Sequence, residues 1–131
     1  MKRWSKSWKA SKKPRKQRKY ISNLPLHIRK TLMSATLSKE LRKKYGMRNL
    51  YVRTGDKVKI LRGQFKKKTG KITSVNLTRV KLYIEGIEQV KKDGSKAFYP
   101  IHPSNVMVTE LDLDDRKRKK VLERTRKEGD K

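Results

Sequence analysis

The chain contains no cysteine, so disulfides, thiolate metal sites and a cysteine nucleophile are excluded. No apolar run approaches the roughly 18 residues of a membrane span. The start is basic from Lys2, but no apolar stretch follows, so it does not read as a secretory signal. Arginine-rich transit peptides are also basic, yet lysine here outweighs the serine they favour. Acids are scarce, 12 against 39 Lys and Arg, leaving +27 on 131 residues. Hydrophobic residues make up only 33%, which rules out a large core and leaves room for one small domain with appendages. Charge at this density opposes compaction, and a polyanion is what offsets it. Nucleic acid is the first candidate and an anionic membrane surface the second.

The charge is unevenly spread. Residues 1–53 carry 18 Lys/Arg against one acid, Glu40, for +17. Residues 54–110 carry 12 against 5, for +7, and residues 111–131 carry 9 against 6, for +3. The first part reads as a basic binding arm with short helices, the second as the only segment with a real core, and the third as a charged helix. No internal repeat of solenoid length is present.

Local patterns give the expected elements. Residues 1–20 have no apolar face and should be extended or disordered alone. Asn23 can cap a short helix that Pro25 opens, with Leu24, Ile28, Leu32 and Met33 at helical spacing. A second helix is expected from Leu37 to Tyr45, ended by Gly46. Val58 and Ile60 alternate with Lys57 and Lys59, and Val80, Leu82 and Ile84 with Lys81, Tyr83 and Glu85, so each segment has one dry and one wet face. Strands are expected at 56–61, 70–76, 79–85, 96–101 and 105–109, with a hairpin turn at Lys92-Asp93-Gly94-Ser95. Five short strands in so little chain predict a mainly β fold, a small SH3-like barrel, with core residues Val58, Ile60, Ile72, Val80, Leu82, Ile84, Val106 and Val108. Asp114 to Glu128 should be a polar helix, with Asp114 and Asp115 at its positive end. Its only apolar residues, Val121 and Leu122, predict weak hydrophobic docking.

Two features point to phosphate. The loop Arg62-Gly63-Gln64-Phe65-Lys66-Lys67-Lys68-Thr69-Gly70 holds four cations and two glycines. Arg62, Lys66, Lys67 and Lys68 can reach several phosphates, Arg62 bidentately, while Gly63 and Gly70 permit positive φ or close backbone approach. A solvated hairpin tip would carry lysines too. In the arm, Trp4, Trp8 and Tyr20 interleave with Lys2, Arg3, Lys6, Lys9, Lys12, Lys13, Arg15, Lys16, Arg18 and Lys19. Splayed RNA bases stack on aromatics while cations hold phosphates. A plain basic tail is the bland alternative. A membrane-surface helix lacks the apolar companions it would need, and Pro14 interrupts it.

His27 and His102 have no cysteine or acid at ligand spacing, so a metal site is not expected. His102, between Ile101 and Pro103, suits a structural or RNA-contacting role. Asp112, Asp114 and Asp115 precede five bases, Arg116 to Lys120, so helix-end electrostatics explains them better than a hydrolytic site. No nucleophile–base–orienter set, no phosphate-binding G-x-x-x-x-G-K-[ST] and no G-x-G-x-x-G is present. Nothing argues for an enzyme or a cofactor.

Leu26-His27-Ile28-Arg29-Lys30, Leu37-Ser38-Lys39-Glu40-Leu41-Arg42-Lys43-Lys44-Tyr45, Asp56-Lys57-Val58 with Arg62-Gly63, Gly70-Lys71-Ile72, Ile101-His102-Pro103-Ser104-Asn105-Val106 and Asp115-Arg116-Lys117 form an ordered set. Together they resemble the KOW-domain protein of the large ribosomal subunit in its archaeal and eukaryotic form, the universal twenty-fourth large-subunit protein family. Residues 56–86 carry the KOW-like part. The resemblance implies an SH3-like KOW barrel that binds large-subunit ribosomal RNA near its 5′ end, beside the polypeptide exit tunnel, with an early role in assembly. It implies a place in cytoplasmic large subunits beside neighbouring ribosomal proteins, with no membrane and no small-molecule substrate. It also adds His27, Arg29, Lys30 and Lys71 to the RNA-contacting candidates. Where the family usually has glycine after the loop's first lysine, this chain has Lys67; lysine is also common where Asn105 stands. Rival readings are a transcription-elongation KOW module, an architectural DNA-binding protein and a membrane-active cationic peptide. The first would normally bring a separate acidic or mixed domain, the second would prefer duplex DNA at equal salt, and the third would bind liposomes.

Overall fold

A computed structural model of the chain describes residues 4, 5, 8 and 11–129, with side chains described as far as residue 124. The described residues form four α-helices: α1 (Pro14–Ser22), α2 (Leu26–Arg29), α3 (Lys39–Tyr45) and α4 (Arg116–Gly129). The strands are β1 (Ser34–Leu37), β2 (Asn49–Tyr51), β3 (Lys57–Ile60), β4 (Thr69–Asn76), β5 (Lys81–Ile84), β6 (Glu88–Val90), β7 (Lys96–Phe98) and β8 (Val106–Glu110). Six of them form one sheet in the order β2-β1-β8-β3-β4-β5, and β6 and β7 form a separate hairpin. The architecture is therefore mixed and strand-rich, consistent with a small barrel-like domain that carries several helices. Within the large sheet β1 and β8 run parallel, Thr36 opposite Met107 and Leu37 opposite Val108, while the other pairs are antiparallel.

Alternation explains the core. All eight residues expected there are buried, from Val58 and Ile60 on β3 to Val106 and Val108 on β8. Each large aliphatic side chain so buried contributes roughly 1.5–3 kcal/mol. Met33, Ala35, Leu37, Leu50, Val52, Ile87, Ile101 and Leu122 complete the core. Leu37 to Val52 come from the segment read as a binding arm, so the sheet takes in chain on both sides of residue 53.

Several local expectations are corrected. Residues 14–22 are helical rather than extended: Pro14 sits in the first turn, and Arg, Lys and Gln are good helix formers. Asn23 ends that helix rather than opening the next, its N–H donating to the Lys19 carbonyl at 3.1 Å. Leu37 belongs to β1, fully buried, and the second helix begins at Lys39 with Ser38 as its cap, the Ser38 hydroxyl accepting from the Leu41 N–H at 3.3 Å. The expected strand 96–101 stops at Phe98, with Ile101 bridging to Leu82 in isolation. The hairpin turn at 92–95 is present, Lys91 N–H donating to the Ser95 carbonyl at 2.9 Å.

Helix α4 docks more firmly than its two apolar residues suggested. Asp115 caps it, accepting from the Lys117 N–H at 2.7 Å. Leu122 reaches the core, and the Arg118 side chain is buried against Asp56. Arg118 Nη1 lies 2.6 Å from Asp56 Oδ1 and Nη2 lies 2.7 Å from Oδ2, a bidentate pair. Arg118 also donates to the carbonyls of Asp112 and Tyr51 at 2.7 and 3.2 Å, and Asp56 accepts from the backbone N–H groups of Arg53 and Asp112. One buried ion pair thus joins the end of β2, the start of β3, the chain after β8 and the C-terminal helix.

Candidate nucleic-acid interface

The β3–β4 loop is short and braced. The Lys67 N–H donates to the Ile60 carbonyl and the Ile60 N–H to the Lys68 carbonyl, both at 2.9 Å. Two residues therefore oppose one, which is a β-bulge whose first residue takes the left-handed conformation and is normally glycine. Lys67 occupies it at φ 73°. Phe65, half-buried, packs on Tyr99 with ring centroids 5.1 Å apart, and Lys68 Nζ lies 5.3 Å over the Phe65 ring. Arg62, Lys66, Lys67 and Lys68 all remain exposed, so the loop is a fixed platform with its four cations in solvent. Sequence reasoning missed the Phe65–Tyr99 anchor; a lone aromatic in a polar loop was the only signal.

The two glycines differ. Gly63 has φ 89° and turns the chain, its carbonyl accepting from the Lys66 N–H at 3.1 Å. Gly70 lies inside β4 opposite Val58, and a Cβ there would stand 2.5 Å from the Glu85 carbonyl oxygen. Its bareness makes room for the chain that follows β5. Lys71 is exposed at the next position, across from Lys57.

Left-handed backbone costs a non-glycine residue about 1–2 kcal/mol, and glycine's extra freedom in the unfolded chain returns about 0.4–1 of that. Lys67→Gly is therefore expected to raise the unfolding free energy by roughly 0.5–1 kcal/mol. Urea denaturation followed by circular dichroism measures it; a loss of stability would contradict the strain at Lys67.

The arm supplies a second basic surface. Lys12, Lys13, Arg15, Lys16, Arg18 and Lys19 are all exposed. At about 100° per residue the four bases within α1 cover an arc of roughly 160°, with Gln17 and Tyr20 on the remaining side. Trp8 stacks on Tyr20 with centroids 4.4 Å apart and planes at 19°, and Trp4 meets Tyr20 at 5.4 Å. The aromatics expected to await RNA bases thus gather into one cluster. Lys2, Arg3, Lys6 and Lys9 lie outside the described residues.

Other candidates sort by burial. Arg29 is a correction. It is 8% exposed, its Nη1 donates to the Thr78 carbonyl at 2.6 Å, and its Nη2 donates to the carbonyls of Ile21 and Ser22 at 3.1 and 2.8 Å. It closes the C-terminal end of α1 and ties it to the β4–β5 turn instead of reaching solvent. His27 and Lys30 are exposed, with Lys30 Nζ 5.6 Å over the Tyr51 ring. His102 caps the short 3-10 turn Pro103–Asn105, its Nδ1 accepting from the Ser104 N–H at 3.3 Å. Partial burial, and then the charge of Lys81, lower its pKa. A neutral ring with the proton on Nε2 can cap and still offer a donor outward.

Several of the acids are engaged in the fold: Asp56 with Arg118, Glu110 with Lys57, and Asp112 with the Asp114 N–H. Asp115 pairs with Arg53, and its carboxyl is held below the usual range first by the Lys117 N–H. Asp93 is likewise lowered, first by the Ser95 hydroxyl. Among the described residues no cluster of His and acidic side chains could hold a metal ion. No described helix is long and apolar enough to cross a membrane.

The protein-family model described as ribosomal proteins L26 eukaryotic, L24P archaeal matches residues 11–125, well over half the chain. The match takes in α1, every strand and most of α4.

Proposed function

Since the chain belongs to the family of eukaryotic L26 and archaeal L24P ribosomal proteins, we propose that it clamps large-subunit ribosomal RNA between two basic surfaces, the β3–β4 loop and helix α1. The family is structural and non-enzymatic, and the chain is a structural constituent of the large subunit in the ribosome. Its RNA site lies near the 5′ end of the large-subunit RNA, beside the polypeptide exit tunnel, where it supports early assembly among neighbouring ribosomal proteins. Residues 54–110 hold most of an SH3-like KOW barrel, to which β1 and β2 add from the segment before residue 54; the chain ahead of β1 acts as the RNA-binding arm and 111–131 as a charged helix. The family match carries this reading, because it spans arm, sheet and C-terminal helix rather than the KOW-like stretch alone. The exposed cations on a braced loop support it, since segments of RNA that repel one another can be held together only where charge is neutralised in fixed places.

The loop's share is testable. Changing Lys66, Lys67 and Lys68 to Glu takes the formal charge from +27 to +21. All three side chains are exposed, so the fold should persist. Log affinity falls with log salt by about 0.7–0.9 per phosphate contacted. The triple variant should therefore bind ribosomal RNA more weakly, with a slope shallower by roughly 2–3. Filter binding across a salt series measures both; unchanged affinity and slope would place the RNA face elsewhere.

A further inference from the structure

We propose that the cleft beside α1 is a nucleobase site. It takes one unpaired RNA base against Trp4 and Trp8 while Lys16 and Lys19 hold the flanking phosphates. This rests on the RNA-binding reading above and adds a base-stacking pocket to it. The cleft has a volume of about 280 Å³ and is lined by Trp4, Trp8, Lys16, Lys19 and Tyr20, among others. That is close to the lower end of small-ligand pockets, roughly 300 Å³, which suits a single base rather than a longer segment.

The aromatic cluster is pre-organised. Tyr20 stacks on Trp8, and its hydroxyl donates to the Ser5 carbonyl at 3.2 Å. A cluster serving only the fold would join the core, yet no residue of α1 is buried and none of the three aromatics belongs to the core. The Trp4 indole N–H is shielded from water and has no acceptor among the described residues. Such a donor is costly to leave unpaired, and a base edge carries ring-nitrogen and carbonyl acceptors. The lysines on the rim match the charge of the nucleotide backbone. A paired base has no free face to stack, so the site should select single-stranded or extruded bases.

The chain's two tryptophans both lie in this cluster, so tryptophan emission reports on it alone. The full chain is titrated with a short oligoadenylate and with an RNA duplex of equal length at the same salt. Single strand should quench emission to saturation, while the duplex binds by charge with little quenching. Trp8→Ala should lower oligoadenylate affinity on the order of 10- to 100-fold with an unchanged salt slope, and Trp8→Phe should keep most of the affinity. Circular dichroism confirms that each variant folds. Equal quenching by duplex, no quenching by single strand, or unchanged affinity in Trp8→Ala would overturn the base site. If those occur while ribosomal RNA still binds, the base site fails and the ribosomal reading stands; if the wild-type chain binds no ribosomal RNA at all, the ribosomal reading itself fails.

Discussion

Asp56→Ala is expected to cost about 3–5 kcal/mol of folding free energy, the largest effect of any single substitution considered. Asp56 is fully buried and Arg118 is 5% exposed. Removing the carboxylate strands a guanidinium out of water and also frees the N–H groups of Arg53 and Asp112 that it accepts from. Domains of this size hold on the order of 5–15 kcal/mol, so one substitution consumes a large share. Arg118→Ala should cost a similar amount by stranding the carboxylate. Replacing both with apolar residues of similar volume, Asp56→Leu with Arg118→Met, should recover much of the loss, because neither charge is then left alone. The control is the exposed pair of Lys57 and Glu110, 3.0 Å apart. Glu110→Gln should cost about 0–1 kcal/mol, since solvent screens that exposed pair and holding two long side chains in one geometry costs entropy. Urea unfolding of the four variants measures all of this. Equal costs for Asp56→Ala and Glu110→Gln would mean that the buried pair does not hold α4 and β3 together.

Deleting residues 1–20 should lower ribosomal RNA affinity by about a hundred- to ten-thousand-fold while leaving the sheet folded. The deletion removes Lys12, Lys13, Arg15, Lys16, Arg18 and Lys19 with the aromatic cluster, but no core residue, since the buried set begins at Leu24. Ile21 and Ser22, whose carbonyls hold Arg29, also remain. When two surfaces on one chain engage one RNA, the second contact is intramolecular, so losing it costs far more than its own contacts suggest. The truncated chain should keep its far-ultraviolet circular dichroism per residue of sheet and still protect the nucleotides touched by the β3–β4 loop. A loss of only a few-fold would make the arm a passenger; loss of the loop's footprint would make the loop a spacer.

What the sequence disclosed and what it hid follow from the range of the interactions. The alternation at residues 57–60 and 80–84 is a local signal, and the strands and core came with it. Leu37 misled because Leu37 and Leu41 stand four apart as on a helix, whereas Leu37 pairs in parallel with Val108 on β8, a contact no local pattern encodes. Strand β6 stayed invisible because Glu88, Gln89 and Val90 are all exposed and show no alternation. The Asp56–Arg118 pair joins residues 62 apart, and Arg118 sits within a run of bases that reads as a solvated face. Arg29 misled for the same reason: a cation in a basic chain looks like an RNA contact until its carbonyl partners are in place. The loop's cations were legible as a group, but the bulge at Lys67 and the Phe65–Tyr99 brace depend on chain folded from either side.

The most direct measurement is chemical footprinting of large-subunit ribosomal RNA with the full chain at physiological salt and an excess of duplex DNA competitor. The account expects protection confined to a compact region near the 5′ end, with the Lys66, Lys67 and Lys68 to Glu variant losing one part of it and the chain lacking residues 1–20 losing another. Protection spread evenly over the RNA, or abolished by the duplex DNA, would contradict it.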